Sequence, residues 1–166
     1  MSEATKPART RSQIGKSNRA KGQDGERKIA RILCDLLGLD IRRRVRNHAD
    51  DSDLTGMPGW SIEVKHCQRP LIRTWWEQTV EQAKDGDIPV LFYRLPHKDW
   101  RAVVHVSTFT GGEAPAQFDF TVEMGVQAFA ELWREVESKR ILDRARAQHV
   151  AQSEKNLAVM AGQSVQ

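Results

Sequence analysis

Residues 53–65, DLTGMPGWSIEVK, constrain this chain more than any other segment. Two short runs of strand-forming residues flank a cluster of turn formers, Gly-Met-Pro-Gly, at residues 56–59. Such a pattern predicts a strand, a tight turn and a second strand, which together form a hairpin. Side chains alternate along a strand, so Ile62 and Val64 are expected to face a core.

The opposite face of the second strand carries Glu63 and Lys65. With the turn centred on Pro58, Asp53 and Glu63 are each five residues from the centre, so the hairpin places them opposite each other. Directly opposed residues of an antiparallel pair have Cβ atoms about 4.5–5.5 Å apart. The segment therefore predicts two neighbouring carboxylates with a lysine beside them.

Two carboxylates this close repel each other unless a positive charge lies between them. Carboxylate oxygens suit Mg²⁺, which takes one or two of them and completes its shell with water and phosphate oxygens. Bound Mg²⁺ activates water and neutralises charge on a phosphate, and a lysine can stabilise the developing negative charge. The alternative is a solvated hairpin face with an ordinary Glu–Lys pair, and this segment alone leaves both open.

Composition indicates one globular domain with polar appendages. Of the 166 residues, 39% are hydrophobic and 29% are charged. No apolar run approaches the roughly 20 residues that span a bilayer, and the basic N-terminus lacks the apolar core of a signal peptide. Cys34 and Cys67 make no disulfide framework, so a reducing cytoplasm and no membrane association are expected.

Charge is concentrated at the front of the chain. Residues 1–48 hold 13 Lys/Arg and 5 Asp/Glu, a net of +8, whereas the remainder has a net of −4. We expect residues 1–20 to be a disordered basic arm, and a basic surface of this kind is typical of nucleic-acid binders. The alternative for residues 1–20 is a solubilising tail. The alternative for the basic run at 39–47 is a sheet edge whose charges prevent pairing with other strands. The candidate DNA contacts are Lys16, Arg19, Lys21, Arg42, Arg43, Arg44 and Arg46.

Apolar spacing predicts the remaining elements. The expected elements are a helix over 22–37 closed by Gly38, a basic strand over 39–47, a helix over 71–85, strands over 88–95 and 100–106, a loop over 107–117, a short strand over 118–122, and a helix over 125–160. Of Trp75 and Trp76, one is expected in the core and the other exposed. Glu26 falls on the inward stripe of the first helix, either as a helix-dipole partner or as a third acidic group of the site.

Two further sets of residues contain side chains that can bind metal. His48, His66 and Cys67 lack the spacing typical of zinc sites, so no zinc site is predicted. Asp51 precedes Asp53 by two residues and would share its face in a strand, which makes it a rival ligand.

The chain resembles the PD-(D/E)xK nuclease superfamily, most closely the archaeal Holliday junction resolvases and their phage and bacterial relatives. The resemblance covers residues 21–106, about half of the chain. It lies in Lys21-Gly22 with Glu26-Arg27, Asp53-Leu54 with Gly56, Ile62-Glu63-Val64-Lys65, Ile88-Pro89-Val90-Leu91 and Trp100.

The resemblance implies an α/β restriction-endonuclease-like core: a helix, a mixed central sheet of four to five strands, and flanking helices, here followed by a C-terminal helix. The core is expected over 21–108, a loop and possible strand over 109–124, and the C-terminal helix with its tail over 125–166. It also implies catalytic roles for Glu26, Asp53, Glu63 and Lys65, with metal held by Asp53, Glu63 and the Val64 carbonyl. Gln78 or Gln82 is expected near the metal-bound water.

The implied function is a Mg²⁺-dependent endonuclease of resolvase type, with Mn²⁺ as a substitute ion. Branched or duplex DNA would be its partner, and a homodimer acting in a bacterial or phage-infected cytoplasm would be its form. The alternatives are a nuclease that cuts ends, flaps or nicks, and a DNA-binding module that keeps the fold without cutting. The intact set of two acids and a lysine disfavours the binding module, because gathering carboxylates beside phosphate weakens binding.

Overall fold

The computed structural model of this chain describes residues 10–45, 52–84, 86–111 and 116–163. The described residues up to Ala130 form one compact unit, and those from Glu131 onward form a second. Within the described ranges, no helix is long and apolar enough to cross a membrane.

The elements follow one another in the order helix, two short strands, strand, helix, two strands, two short helices, strand, helix. Their bounds are α1 Arg11–Leu37, β1 Arg42–Arg43, β2 Leu54–Thr55, β3 Trp60–His66, α2 Ile72–Gln82, β4 Ile88–Arg94, β5 Arg101–His105, α3 Ser107–Thr110, a 3₁₀ helix Phe118–Phe120, β6 Thr121–Gly125 and α4 Val126–Gln163.

The main sheet has four strands in the order β3-β4-β5-β6. Strands β3 and β4 are parallel and are joined through α2, as a parallel pair requires a crossover connection. The other two pairs are antiparallel, so the sheet is mixed as predicted. A second, two-stranded antiparallel sheet pairs β1 with β2.

Helix α1 is longer than its apolar pattern predicts. It begins at Arg11, so residues 11–20, which we expected to belong to a disordered arm, are helical. Their only large aliphatic residue is Ile14, and an apolar stripe, the main sequence signal for a helix, is therefore missing there. Gly38 ends α1 as predicted, with φ +68° and its N–H donating to the Cys34 carbonyl at 2.9 Å.

Helices cover both faces of the main sheet. On one face, Phe129 of α4 packs against Trp60 of β3 and Phe92 of β4, with ring centroids 5.8 and 4.9 Å apart. On the other face, Trp75 and Trp76 of α2 lie in one core cluster with Leu91, Tyr93 and Val103. Both tryptophans are buried, at 6% and 0% exposure, so the prediction that one is exposed was wrong.

The segment after β5 differs in detail from the prediction. Part of the predicted loop forms the short helix α3, and the strand expected over 118–122 lies at Thr121–Gly125, after a 3₁₀ turn. This strand pairs with β5 and completes the main sheet. The C-terminal helix is found at Val126–Gln163, close to its predicted bounds.

Candidate active site

Asp53 lies between β1 and β3. Its N–H donates to the Ile62 carbonyl at 2.8 Å, and its own carbonyl accepts from the Arg44 N–H at 2.8 Å. The predicted hairpin ladder is therefore wrong, because β2 pairs with β1 and not with β3. The chain at Asp53 nevertheless runs beside the edge of β3 that does not pair with β4.

A side chain replaces part of the missing ladder. The Ser52 hydroxyl accepts from the Ile62 N–H at 2.9 Å and lies 3.1 Å from the Ile62 carbonyl oxygen. Ser52 thus satisfies the Ile62 N–H, and its single hydroxyl hydrogen can be donated to the carbonyl of Ile62 or to that of Leu54, 3.0 Å away. Ser52 was not predicted to belong to the site, because a serine beside two aspartates in a polar stretch carries no distinguishing pattern.

The Asp53 carboxylate is buried, at 4% exposure, and is held by the backbone of β3. Its Oδ2 accepts from the Val64 N–H at 2.8 Å. In an extended strand the N–H and C=O of one residue point to the same edge, and those of the next residue to the other. The Val64 carbonyl therefore points to the edge at which Asp53 lies.

Glu63 is also buried at 4% exposure. Its Oε1 lies 2.5 Å from Lys65 Nζ, and these two side chains share one face of β3, as predicted. In register, Glu63 and Lys65 lie beside Leu91 and Tyr93, which pack against α2. The pair therefore occupies the face of β3 that α2 covers. The Asp53 carboxylate is bonded to Val64, the residue between Glu63 and Lys65, at the edge of the strand.

Glu26 comes from α1 and contacts a different partner. Its Oε2 lies 2.5 Å from Arg43 Nε, and the two side chains are 15% and 24% exposed. Glu26 is 15 residues from the start of α1, so the helix-dipole alternative does not apply to it. Over the described ranges, no three Asp, Glu, His or Cys residues form a group that could hold a metal.

The two glutamines of α2 differ in position. Gln78 is exposed, whereas Gln82 is half-buried and lines a cavity of about 260 Å³ with Arg44, Ser52 and Ser61. Ser52 directly precedes Asp53 in the chain, and Ser61 lies two residues before Glu63, on the same face of β3. Gln82 is thus the glutamine that is partly buried and shares a cavity with residues close to the carboxylates in sequence.

A larger cleft, of about 680 Å³, opens beside Lys65. It is lined by Ser17, Asn18, Lys21 and Gly22 of α1 and by Val64, Lys65, His66, Cys67 and Gln68. Burial lowers the pKa of His66, and the nearby charge of Lys21 lowers it further. The sequence did not predict that α1 residues line a cleft, because residues 1–20 were expected to be disordered.

The other predicted DNA contacts are scattered over the unit. Lys16 and Arg19 are exposed on α1, and exposed Arg42 pairs with Asp40 at 2.8 Å. Arg46 and the rival ligand Asp51 lie outside the described residues, as does His48.

Comparison with known families gives a match over residues 17–137, to the family described as "Phage putative PDDEXK endonuclease". The chain belongs to this phage PD-(D/E)xK endonuclease family. The family resemblance and the restriction-endonuclease-like α/β fold expected from the sequence are thereby confirmed, and the chain is of the nuclease class.

One solved structure is similar to this chain over much of its length. It is the 1.6 Å resolution structure of Hjc, a Holliday junction resolvase from the archaeal hyperthermophile Archaeoglobus fulgidus. The sequence identity is 20%, the TM-score is 0.45, and the alignment covers 66% of this chain and 99% of that chain. A search of curated proteins found no match.

Proposed function

We propose that this protein is a Mg²⁺-dependent DNA endonuclease whose metal is held by Asp53, Glu63 and the Val64 carbonyl. The observation that carries the proposal is the bond from the Val64 N–H to Asp53 Oδ2, at 2.8 Å. It fixes a buried carboxylate at the edge toward which the Val64 carbonyl points, and Glu63, the residue before Val64, carries the second buried carboxylate.

The chemistry of these donors fits Mg²⁺. All three groups are hard oxygen ligands, and Mg²⁺ typically uses only one or two carboxylates from a protein. A third acidic group is not required, which agrees with Glu26 being paired with Arg43. Mn²⁺ has the same preference for oxygen ligands and is expected to substitute.

The bound ion would supply an activated water and neutralise charge on the scissile phosphate. Lys65 holds its ammonium group against Glu63 while also lining the open cleft. It would donate hydrogen bonds to the attacking water or to a phosphate oxygen that gains negative charge. Gln82 is the glutamine we assign to the water network.

Glu26 acts in this proposal through Arg43 and not as a metal ligand. The Glu26 carboxylate orients the guanidinium of Arg43, whose neighbour Arg44 bonds the backbone of Asp53. Arg43 would then contact a DNA phosphate from a fixed position. Lys16, Arg19, Lys21, Arg42, Arg44 and Arg46 are the other candidate phosphate contacts.

The substrate we propose first is branched DNA, such as a four-way junction, cut by a homodimer in a bacterial or phage-infected cytoplasm. The resemblance of the sequence motifs to those of the resolvases supports this choice over linear ends. Cleavage of flaps or nicks is the competing outcome, and binding without cleavage is the outcome that removes the enzyme assignment.

The test is cleavage of labelled junction, flap, nicked and linear duplex DNA with Mg²⁺, with Mn²⁺ and with chelator. Asp53→Asn should abolish cleavage, because the amide oxygen can still accept from the Val64 N–H while the charge needed for metal is gone. Lys65→Ala should also abolish cleavage. Asp99→Asn, at an exposed turn, is the matched control and should cut normally.

Binding to the same DNA in chelator should survive in both site variants, and melting temperatures report whether each remains folded. Normal turnover by folded Asp53→Asn protein would show that Asp53 is not a ligand. Cleavage by the unaltered protein in chelator would contradict metal dependence.

A further inference from the structure

The cleft beside Lys65 is continuous with the candidate metal site. Val64 and Lys65 belong to both, and from them the cleft extends along His66, Cys67 and Gln68 on one side. The first half of α1 forms its other side. A DNA strand held at the metal site therefore has an open path next to it in this direction.

The α1 wall of the cleft is polar and carries a lysine. Its residues, Ser17, Asn18, Lys21 and Gly22, recur at four-residue spacing and so form one stripe of the helix. Hydroxyl, amide and ammonium groups of this kind are the usual donors to phosphate oxygens. Lys21 is half-buried in this wall.

Gly22 is not explained by packing within the protein. A Cβ built at Gly22 would meet no atom within 4 Å, whereas one at Gly25 would lie 3.1 Å from His66 Cβ. Gly25 is thus needed for close approach of α1 to β3, and Gly22 is not. A glycine inside a helix lowers helix stability by about 1 kcal/mol relative to alanine. No packing contact within the protein requires a glycine at position 22.

We propose that this cleft binds the sugar-phosphate backbone of the DNA strand adjoining the scissile phosphate. Lys21 pairs with a phosphate there, and the missing side chain of Gly22 lets the strand approach the helix. The inference rests on the proposed function, since it takes DNA as the substrate. It assigns the binding to a rigid helical wall in place of a disordered arm.

The test measures binding of fluorescently labelled four-way junction and linear duplex DNA in chelator, so that no cleavage contributes. Lys21→Ala is compared with Lys28→Ala, which removes an exposed lysine of the same helix that pairs with Asp24. Loss of one phosphate contact should reduce the slope of log affinity against log salt by about 0.9 on duplex DNA. Lys28→Ala should leave the slope unchanged.

Gly22→Leu is compared with Gly15→Leu, because both glycines lie in α1 and both have open space around a Cβ. Leucine favours the helix at either position, so both proteins should fold and melt no lower than the unaltered chain. Gly22→Leu should weaken binding by about tenfold or more, equivalent to ~1.4 kcal/mol. Gly15→Leu should bind normally.

The inference is overturned if Lys21→Ala and Gly22→Leu match their controls while the unaltered protein binds DNA. The two proposals fail differently. If the unaltered protein binds DNA and both pairs of variants separate as expected, but no DNA is cut with metal, the cleft stands and the nuclease assignment falls. If no DNA is bound at all, both are refuted.

Discussion

The ion pair between Glu26 and Arg43 gives a direct test of how the candidate site is arranged. Replacing Glu26 by glutamine would raise stability if Glu26 stood against Asp53 and Glu63, because repulsion among carboxylates would fall. The structure places Glu26 against Arg43 instead. We therefore expect Glu26→Gln to lower stability.

The size of the effect follows from burial. A hydrogen bond to a charged group contributes about 1.5–3 kcal/mol when it is shielded from water. Glu26 and Arg43 are 15% and 24% exposed, whereas the similar Asp40–Arg42 pair is 73% and 76% exposed. Exposed pairs contribute only about 0–1 kcal/mol. For a chain of this length, 1 kcal/mol corresponds to roughly 2–4 °C in melting temperature.

The assay is a double-mutant cycle measured by urea unfolding in chelator. The cycle of Glu26→Gln and Arg43→Gln should give a coupling energy of about 1.5–3 kcal/mol. The control cycle of Asp40→Asn and Arg42→Gln should give less than about 1 kcal/mol. A coupling in the first cycle no larger than in the second, or a gain of stability in Glu26→Gln, would refute this arrangement.

Two further predictions concern stability. Burial, aided by the hydrogen bond to Glu123, raises the pKa of Tyr93 to about 12. The folded state thus keeps this proton more tightly, so its contribution is complete below pH ~10 and is lost as pH rises to about 12, by up to about 3 kcal/mol. Urea unfolding should show a smaller alkaline loss for Tyr93→Phe, and equal losses would contradict this. Gly56→Ala should destabilise by more than about 1 kcal/mol, because its Cβ would lie 2.3 Å from the Asp40 carbonyl oxygen at φ +98°. Gly86→Ala, at φ +84° with open space, measures the backbone strain alone, and an equal loss in both would exclude the clash.

The elements that sequence predicted best are those with a complete local signal. Strand β4 follows a continuous apolar run, and α2 follows apolar spacing that ends before a glycine. The first half of α1 has no such signal, since its residues are polar and include Gly15 and Gly22. Its helical state extends a helix whose later turns, at Ile29 and Leu33, are buried.

Pairing between segments that are distant in sequence could not be predicted from local sequence patterns. The turn at residues 56–59 favoured a hairpin, but the carbonyl of Asp53 is bonded to Arg44, nine residues earlier. A turn fixes the strand register only where the two flanking segments pair as a hairpin, and here the pairing partner of β2 is β1. The partner of Glu26 was equally hidden, because Arg43 is one of three consecutive arginines that sequence cannot tell apart.

The alternating pattern of β3 was read correctly, but its polar side is not solvated. Ser61 and Glu63 are 5% and 4% exposed beneath α2, and Lys65 has 22% of its side chain exposed. The solvated Glu–Lys face that the sequence left open is therefore excluded. Buried ion pairs contribute little net stability, and apolar residues of similar size often serve a fold as well or better. Stability alone does not explain a carboxylate and a lysine placed in this layer, whereas the metal-dependent nuclease proposed above would use both.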